Sequence, residues 1–196
     1  VNRIYVADEV AEAFTDELVA RTERFKIGSG LDPDVDLGPM FSRSQRDKTR
    51  EHVADALEKG AELLSGGREP EGEAYEKGYF FLPTVLYRAN HKMKVMREET
   101  FGPVAPLMKF KSLEEAISLA NDSPYGLAAY VFTSDLKTAL LAAEGLEAGS
   151  IGVNVNNVVD LQAPFGGWKE SGLGRELGRW GLEAYMETKH IRLGMG

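Results

Sequence analysis

The sequence predicts an α/β fold, a mostly parallel sheet with flanking helices. Three observations carry this expectation. Short runs rich in β-branched and aromatic residues alternate with amphipathic stretches at helical spacing, and turn-forming Gly, Pro, Asn and Asp punctuate the boundaries. The 196 residues, 43% hydrophobic and 28% charged, suffice for one good-sized core. Parallel strands need a crossover of roughly a dozen residues, which the helical stretches supply.

Residues 2–6 read as a strand, because Ile4 and Val6 share one face while Arg3 and Tyr5 share the other. A helix follows, with Asp8 as its N-cap and Val10, Phe14, Leu18 and Phe25 as an inward stripe ending before the Gly28-Ser29-Gly30 turn. Residues 31–40, with Pro33, Gly38 and Pro39, form a loop. Ser42 and Gln45 have capping-box spacing and open a helix to about Lys59, with Val53, Ala56 and Leu57 inward. Residues 61–64 form a short strand ended by Gly66-Gly67, and residues 68–78 a polar surface excursion.

The run 80–86 reads as a strand whose Pro83 implies an edge position or a bulge. Residues 104–110 form the next strand, after which Ser112 and Glu115 repeat the capping box above Leu113, Ala116, Ile117 and Ala120. A turn at 121–124 launches a strand at 127–132. Ser134 or Asp135 then opens a helix with Leu136, Ala139, Leu140 and Ala143 inward, and residues 150–154 form the following strand. No internal repeat is visible, so one domain is expected over residues 1–188, with 189–196 as a C-terminal tail.

The net charge of −8, with acids and bases interspersed, disfavours a phosphate backbone as partner, which calls for a concentrated basic face. With no cysteine, these residues hold no disulfide, thiolate metal site or cysteine nucleophile, which fits a reducing compartment. His52, His91 and His190 lack zinc-site spacing and read as surface or structural groups. No apolar run approaches the roughly 18 residues of a membrane span, and the first residues lack a basic segment followed by an apolar one. The expectation is a soluble, cytoplasmic protein without metal, membrane or nucleic-acid partner.

Three segments draw attention as chemistry. Residues 164–176 (PFGGWKESGLGRE) carry four glycines, so backbone approaches something closely there; the spacing of Gly172, Gly174 and Gly178 does not match a dinucleotide fingerprint, which favours tight packing over a phosphate cradle. Glu98-Glu99 before Thr100-Phe101-Gly102-Pro103 reads on composition as a solvated acidic loop, though a carboxylate at such a strand end can accept ribose hydroxyls. Asn154, Asn156 and Asn157 follow a strand, where asparagine more often forms a turn. Trp168 and Trp180 read as packing aromatics.

These motifs coincide with one family. EETFGPV (98–104), NDSPYGLAAYVF (121–132), GVN (152–154) and PFGGWKESGLGRE (164–176) resemble, in order and approximate spacing, the C-terminal part of NAD(P)-dependent aldehyde dehydrogenases, and GYFFLPTVL (78–86) and EAYMETKHI (183–191) fit too. The succinate-semialdehyde dehydrogenase branch is most similar. The resemblance implies that Glu99 holds the hydroxyls of the nicotinamide ribose of NAD or NADP and that Phe101 packs by the nicotinamide. It implies that Phe165 and Val159 line the aldehyde tunnel, that Asn154 has a mainly structural role near the active site, and that the strand near 189–195 joins a sheet shared between subunits of a homo-oligomer.

In the family the catalytic cysteine lies a few residues before the arginine matching Arg3, and the general-base glutamate, oxyanion-hole asparagine and most of the dinucleotide domain lie further upstream. The resemblance therefore implies a fragment that begins just after its nucleophile, inactive alone and needing an N-terminal portion. A non-catalytic oligomerisation or regulatory module of the same fold is the alternative. The succinate-semialdehyde branch tends to carry a serine where this chain has Val159, which cannot hydrogen-bond a second carboxylate, so an aliphatic or aromatic aldehyde without one is expected.

Overall fold

The computed structural model describes all 196 residues, which divide into two compact units, Val1–Ser112 and Leu113–Gly196. In the first, β1 (Ile4–Ala7) passes through a short 3-10 turn into α1 (Ala11–Thr22). Then come α2 (Arg43–Glu58), β2 (Glu62–Ser65), β3 (Thr84–Tyr87), α3 (Lys94–Arg97) and β4 (Val104–Phe110). The sheet order is β1-β4-β3-β2. β4 is parallel to both β1 and β3, but β2 runs antiparallel to β3, so the sheet is mixed, with two of its three pairs parallel. The cause lies in the connection: residues 66–83 contain only a single 3-10 turn and no crossover helix of the kind a parallel pair requires.

Strand alternation places one side chain on each face. Val6, Val85 and Leu107 pack with Ala11 and the half-buried Leu18 and Val19 of α1. Leu86 and Val104, with Tyr5 against them, join Val53 and Ala56 of α2 and Met93, Val95 and Met96 around α3. Each fully buried leucine or valine contributes roughly 1.5–3 kcal/mol, so this two-faced burial dominates the unit's stability.

Several expected positions differ. Asp8 does not cap α1; it lies in the 3-10 turn and pairs with Lys109. The inward stripe of α1 is Ala11 and Thr15 with Leu18 and Val19, while Val10, Phe14 and Phe25 are 54%, 42% and 49% exposed. Small residues let the helix approach closely, and Thr15 is satisfied because its hydroxyl donates to the Ala11 carbonyl at 2.6 Å. Leu57 is likewise exposed. β3 is an interior strand, not an edge: Pro83 stands just before its first residue, so no ladder bond is lost, and the irregularity falls on β2 between Leu63 and Ser65. There Gly66 (φ 74°) admits no side chain, since a Cβ would lie 2.1 Å from the Pro83 oxygen.

The second unit holds α4 (Leu113–Asn121), β5 (Tyr125–Gly126), β6 (Ala128–Val131), α5 (Leu136–Gly145), β7 (Ser150–Val153), β8 (Trp168–Lys169) and α6 (Gly178–Glu183). β6 and β7 pair in parallel, β5 and β8 antiparallel. Asp135 caps α5 by accepting from the Thr138 amide at 2.7 Å. The buried positions of α5 are Ala139 and Ala142; Leu136 and Leu140, expected inward, are 73% and 56% exposed. Asn121 closes the helix pair, donating to the Gly145 carbonyl and accepting from the Glu147 amide, each at 2.8 Å.

The glycine-rich segment packs on itself. Phe165 and Glu176 exchange backbone hydrogen bonds at 2.9 and 2.7 Å, Arg175 donates to the Gly167 and Gly174 carbonyls at 3.0 and 2.7 Å, and a Cβ on Gly149 would stand 1.7 Å from the Gly166 oxygen. Residues 189–196 are exposed and form no strand within this chain. A β-strand is defined by a hydrogen-bonded neighbour, and the single chain offers that tail none. No helix is long and apolar enough to cross a membrane, and no cluster of three or more His, Cys, Asp or Glu is placed to hold a metal ion.

Candidate functional site

α2 carries Gln45, Thr49 and His52 at i, i+4 and i+7, the spacing of one helical face. Thr100, 2% exposed, faces this stripe and is held from three sides. Its amide donates to Asn2 Oδ1 at 3.0 Å, its carbonyl accepts from Gln45 Nε2 at 2.5 Å, and its hydroxyl lies 3.1 Å from His52 Nδ1. The Asn2 amide also donates to the Glu98 and Val95 carbonyls at 3.0 and 3.3 Å. Lys48 Nζ donates to the Glu99 carbonyl at 2.6 Å, and Gln45 reaches the Phe101 carbonyl at 3.1 Å.

Phe101 adopts a left-handed φ of 49°, a conformation costing about 1 kcal/mol that persists only where neighbours enforce it. The next residue leaves no room: a Cβ on Gly102 would lie 2.5 Å from Thr49 Oγ1. Pinning Thr100 inward turns the side chains on either side outward. Glu99 is exposed, Phe101 is 71% exposed, and both line a cleft of about 520 Å³ with Asn2, Met40, Gln45 and Phe81. An ionised carboxylate accepts two hydrogen bonds from vicinal hydroxyls, and an exposed aromatic face accepts a flat ring. The pair thus fits a ribose bearing a planar heterocycle.

His52 is itself buried. Its Nε2 lies 3.3 Å from Glu98 Oε2, yet burial outweighs that carboxylate and pushes the imidazole pKa below its ordinary value. A neutral ring with its proton on Nε2 satisfies both partners, donating to Glu98 and accepting the Thr100 hydroxyl proton on Nδ1.

Of the residues expected at a site, Glu99 and Phe101 share this cleft in the first unit. Asn154, Val159 and Phe165 lie in the second. Asn154 (φ 54°) accepts from the Thr133 amide and donates to its carbonyl, each at 2.9 Å, locking the end of β7. Val159 is 47% exposed, and its amide donates to Asn157 Oδ1 at 3.0 Å. Phe165 is half-buried beside Glu176. A cavity of about 710 Å³ between Leu161, Arg175 and Tyr185 includes none of these three.

Asn2, Lys48 and His52 escaped the sequence reading as site residues, and Gln45 entered it only as a cap partner. The cap is half formed: Ser42 Oγ accepts from the Gln45 amide at 3.2 Å, while the glutamine side chain goes to Thr100 and Phe101 instead. The available clue was the 45, 49, 52 spacing, which sets polar residues on the same helix face as the apolar Val53 and Ala56.

Comparison with known proteins gives one consistent result. The profile of the aldehyde dehydrogenase family matches residues 1–191. Over 98% of its length the chain is 46% identical to a 3-sulfolactaldehyde dehydrogenase of Pseudomonas putida, and over 99% it is 44% identical to the succinate-semialdehyde dehydrogenase [NADP(+)] GabD of Escherichia coli K12. It superposes on the crystal structure of betaine aldehyde dehydrogenase from Staphylococcus aureus in complex with NAD+ with a TM-score of 0.93 at 40% identity, covering 97% of this chain and 38% of that one. The chain spans about 39% of the length of the curated relatives it matches.

Proposed function

The chain belongs to the aldehyde dehydrogenase family, and from that membership we propose that it forms the C-terminal catalytic portion of an enzyme oxidising an aldehyde to a carboxylate with NAD or NADP and water. The observation that carries the reading is the pair Glu99 and Phe101 turned into one cleft by the buried Thr100. When bound, the nicotinamide supplies the oxidising power. Glu99 accepts the hydroxyls of its ribose, Phe101 packs against the ring, and Asn2, Gln45 and Lys48 hold the backbone that aims them.

In the second unit, Val159 and Phe165 contribute to the wall of the aldehyde approach, and Asn154 fixes the end of β7. These 196 residues contain no cysteine, so in this reading the thiolate that attacks the aldehyde is supplied by sequence outside them, as is the general base. The tail alternates exposed Ile191, Leu193 and Met195, a pattern that supports its pairing as a strand with a second copy.

Names of relatives point to anionic substrates for those proteins, succinate semialdehyde and 3-sulfolactaldehyde. Against transferring that here, Val159 offers an acid group no hydrogen bond, and we assign an aldehyde without a second carboxylate. The test of the central reading is Glu99→Gln in the complete protein: the KM for the dinucleotide rises about tenfold, the cost of weakening hydrogen bonds to a charged acceptor, while the aldehyde KM stays put. An unchanged dinucleotide KM overturns it.

A further inference from the structure

His52 spends both ring nitrogens on the two residues that bracket Glu99. Nδ1 meets the Thr100 hydroxyl at 3.1 Å and Nε2 the Glu98 carboxylate at 3.3 Å. His52 thus meets the side chains of both residue 98, in extended backbone (φ −111°, ψ 151°), and residue 100, while that of Glu99 between them lines the cleft. α2 therefore grips the inner edge of a zigzag whose outer edge carries the ribose-binding carboxylate. An ordinary core histidine needs no such paired grip.

We infer that His52 is a positioning residue for Glu99 and Phe101, acting through the Thr100 hydroxyl and the Glu98 carboxylate. The inference rests on the proposed role of that cleft in holding the nicotinamide ribose. Other charges near the ring are Lys48 and Glu51 on its own helix, with Lys94 of α3 paired to Glu51. The ring's neutral form leaves Nδ1 free to accept from Thr100.

The experiment is calorimetric binding of NAD+ or NADP+, whichever the complete protein takes, alongside ADP or 2′,5′-ADP, which lack the nicotinamide ribose. Thr100→Val weakens dinucleotide binding about tenfold, the loss of one buried hydrogen bond, His52→Leu weakens it at least as much because the Glu98 contact goes too, and both leave the shorter nucleotide unchanged. The double variant falls no further than His52→Leu, and His52→Asn, whose amide oxygen stands near the Nδ1 position, restores the part carried by Thr100.

Unchanged dinucleotide affinity in both variants, or a parallel loss for the shorter nucleotide, overturns the inference. If His52→Leu fails to fold, Thr100→Val decides alone. Glu99→Gln separates the two layers. If it leaves the dinucleotide affinity intact, the ribose reading itself falls; if it weakens binding while Thr100→Val does not, only the role of His52 falls.

Discussion

At the scale of the residue, one threonine decides where its neighbours point. Thr100 is buried because its amide, carbonyl and hydroxyl all find partners, and that burial obliges Glu99 and Phe101 to face the cleft. The same network makes stability depend on pH. Burial lowers the His52 pKa from its ordinary 6.5, so the unfolded chain binds a proton there more readily than the folded one. Stability is full above 6.5 and falls as the pH drops through that value towards the lower folded one. Urea unfolding at pH 7.5 and 5.5 measures it: the midpoint decreases on acidification in the wild type and decreases less in His52→Gln. In the second unit, Val159→Ser in the complete enzyme raises relative kcat/KM for carboxylated aldehydes about tenfold, because a hydroxyl replaces an unpaired apolar surface. Competition between matched aldehydes with and without a terminal carboxylate reads this out, and an unchanged ratio removes the argument from Val159.

At the scale of the element, α2 does two jobs with one buried face: Val53 and Ala56 enter the core while Gln45, Thr49 and His52, on the same stripe, address the loop around Thr100. Its start is held by the Ser42 hydroxyl on the Gln45 amide. Ser42→Ala costs about 1 kcal/mol, and because Gln45 is the residue so anchored, it also weakens dinucleotide binding. Thermal unfolding with and without NAD+ separates the two effects. Strand positions were largely legible from alternation, and β4 matches its expected span residue for residue. Helix faces were less so. On α1 and α5 the large apolar residues marked a stripe, but the close approach of helix to sheet selected alanine and threonine, leaving Phe14, Leu136 and Leu140 outside. Hydrophobicity ranks residues by transfer energy, whereas packing distance ranks them by size. The site was half legible: Glu99 and Phe101 sit in a motif, while Asn2 and His52 act across long sequence separations that no local pattern encodes.

At the scale of the whole molecule, apolar exposure is the prominent property. Leu136, Leu140 and Phe132 in the second unit and Ile191, Leu193 and Met195 in the tail all face solvent, and contiguous patches of a few hundred Å² tend to find a partner. The chain by itself is expected to associate with rising concentration, and Ile191→Lys with Leu193→Lys reduces that association in sedimentation velocity. The same isolated chain is expected to show no aldehyde-dependent reduction of NAD+ or NADP+, since it brings no thiol; measurable turnover sinks the proposed division of labour.

The register of β1 has a temporal meaning. Ile4 stands opposite Leu107, about a hundred residues away, while β2 meets β3 and β3 meets β4 across much shorter gaps. A polypeptide leaving the ribosome can close the β2-β3 pair early, but β1 must wait for its partner β4 to emerge. Pulsed deuterium labelling during refolding should therefore find the amides of Tyr5 to Ala7 among the last to gain protection, leaving that segment open to chaperones in the interval.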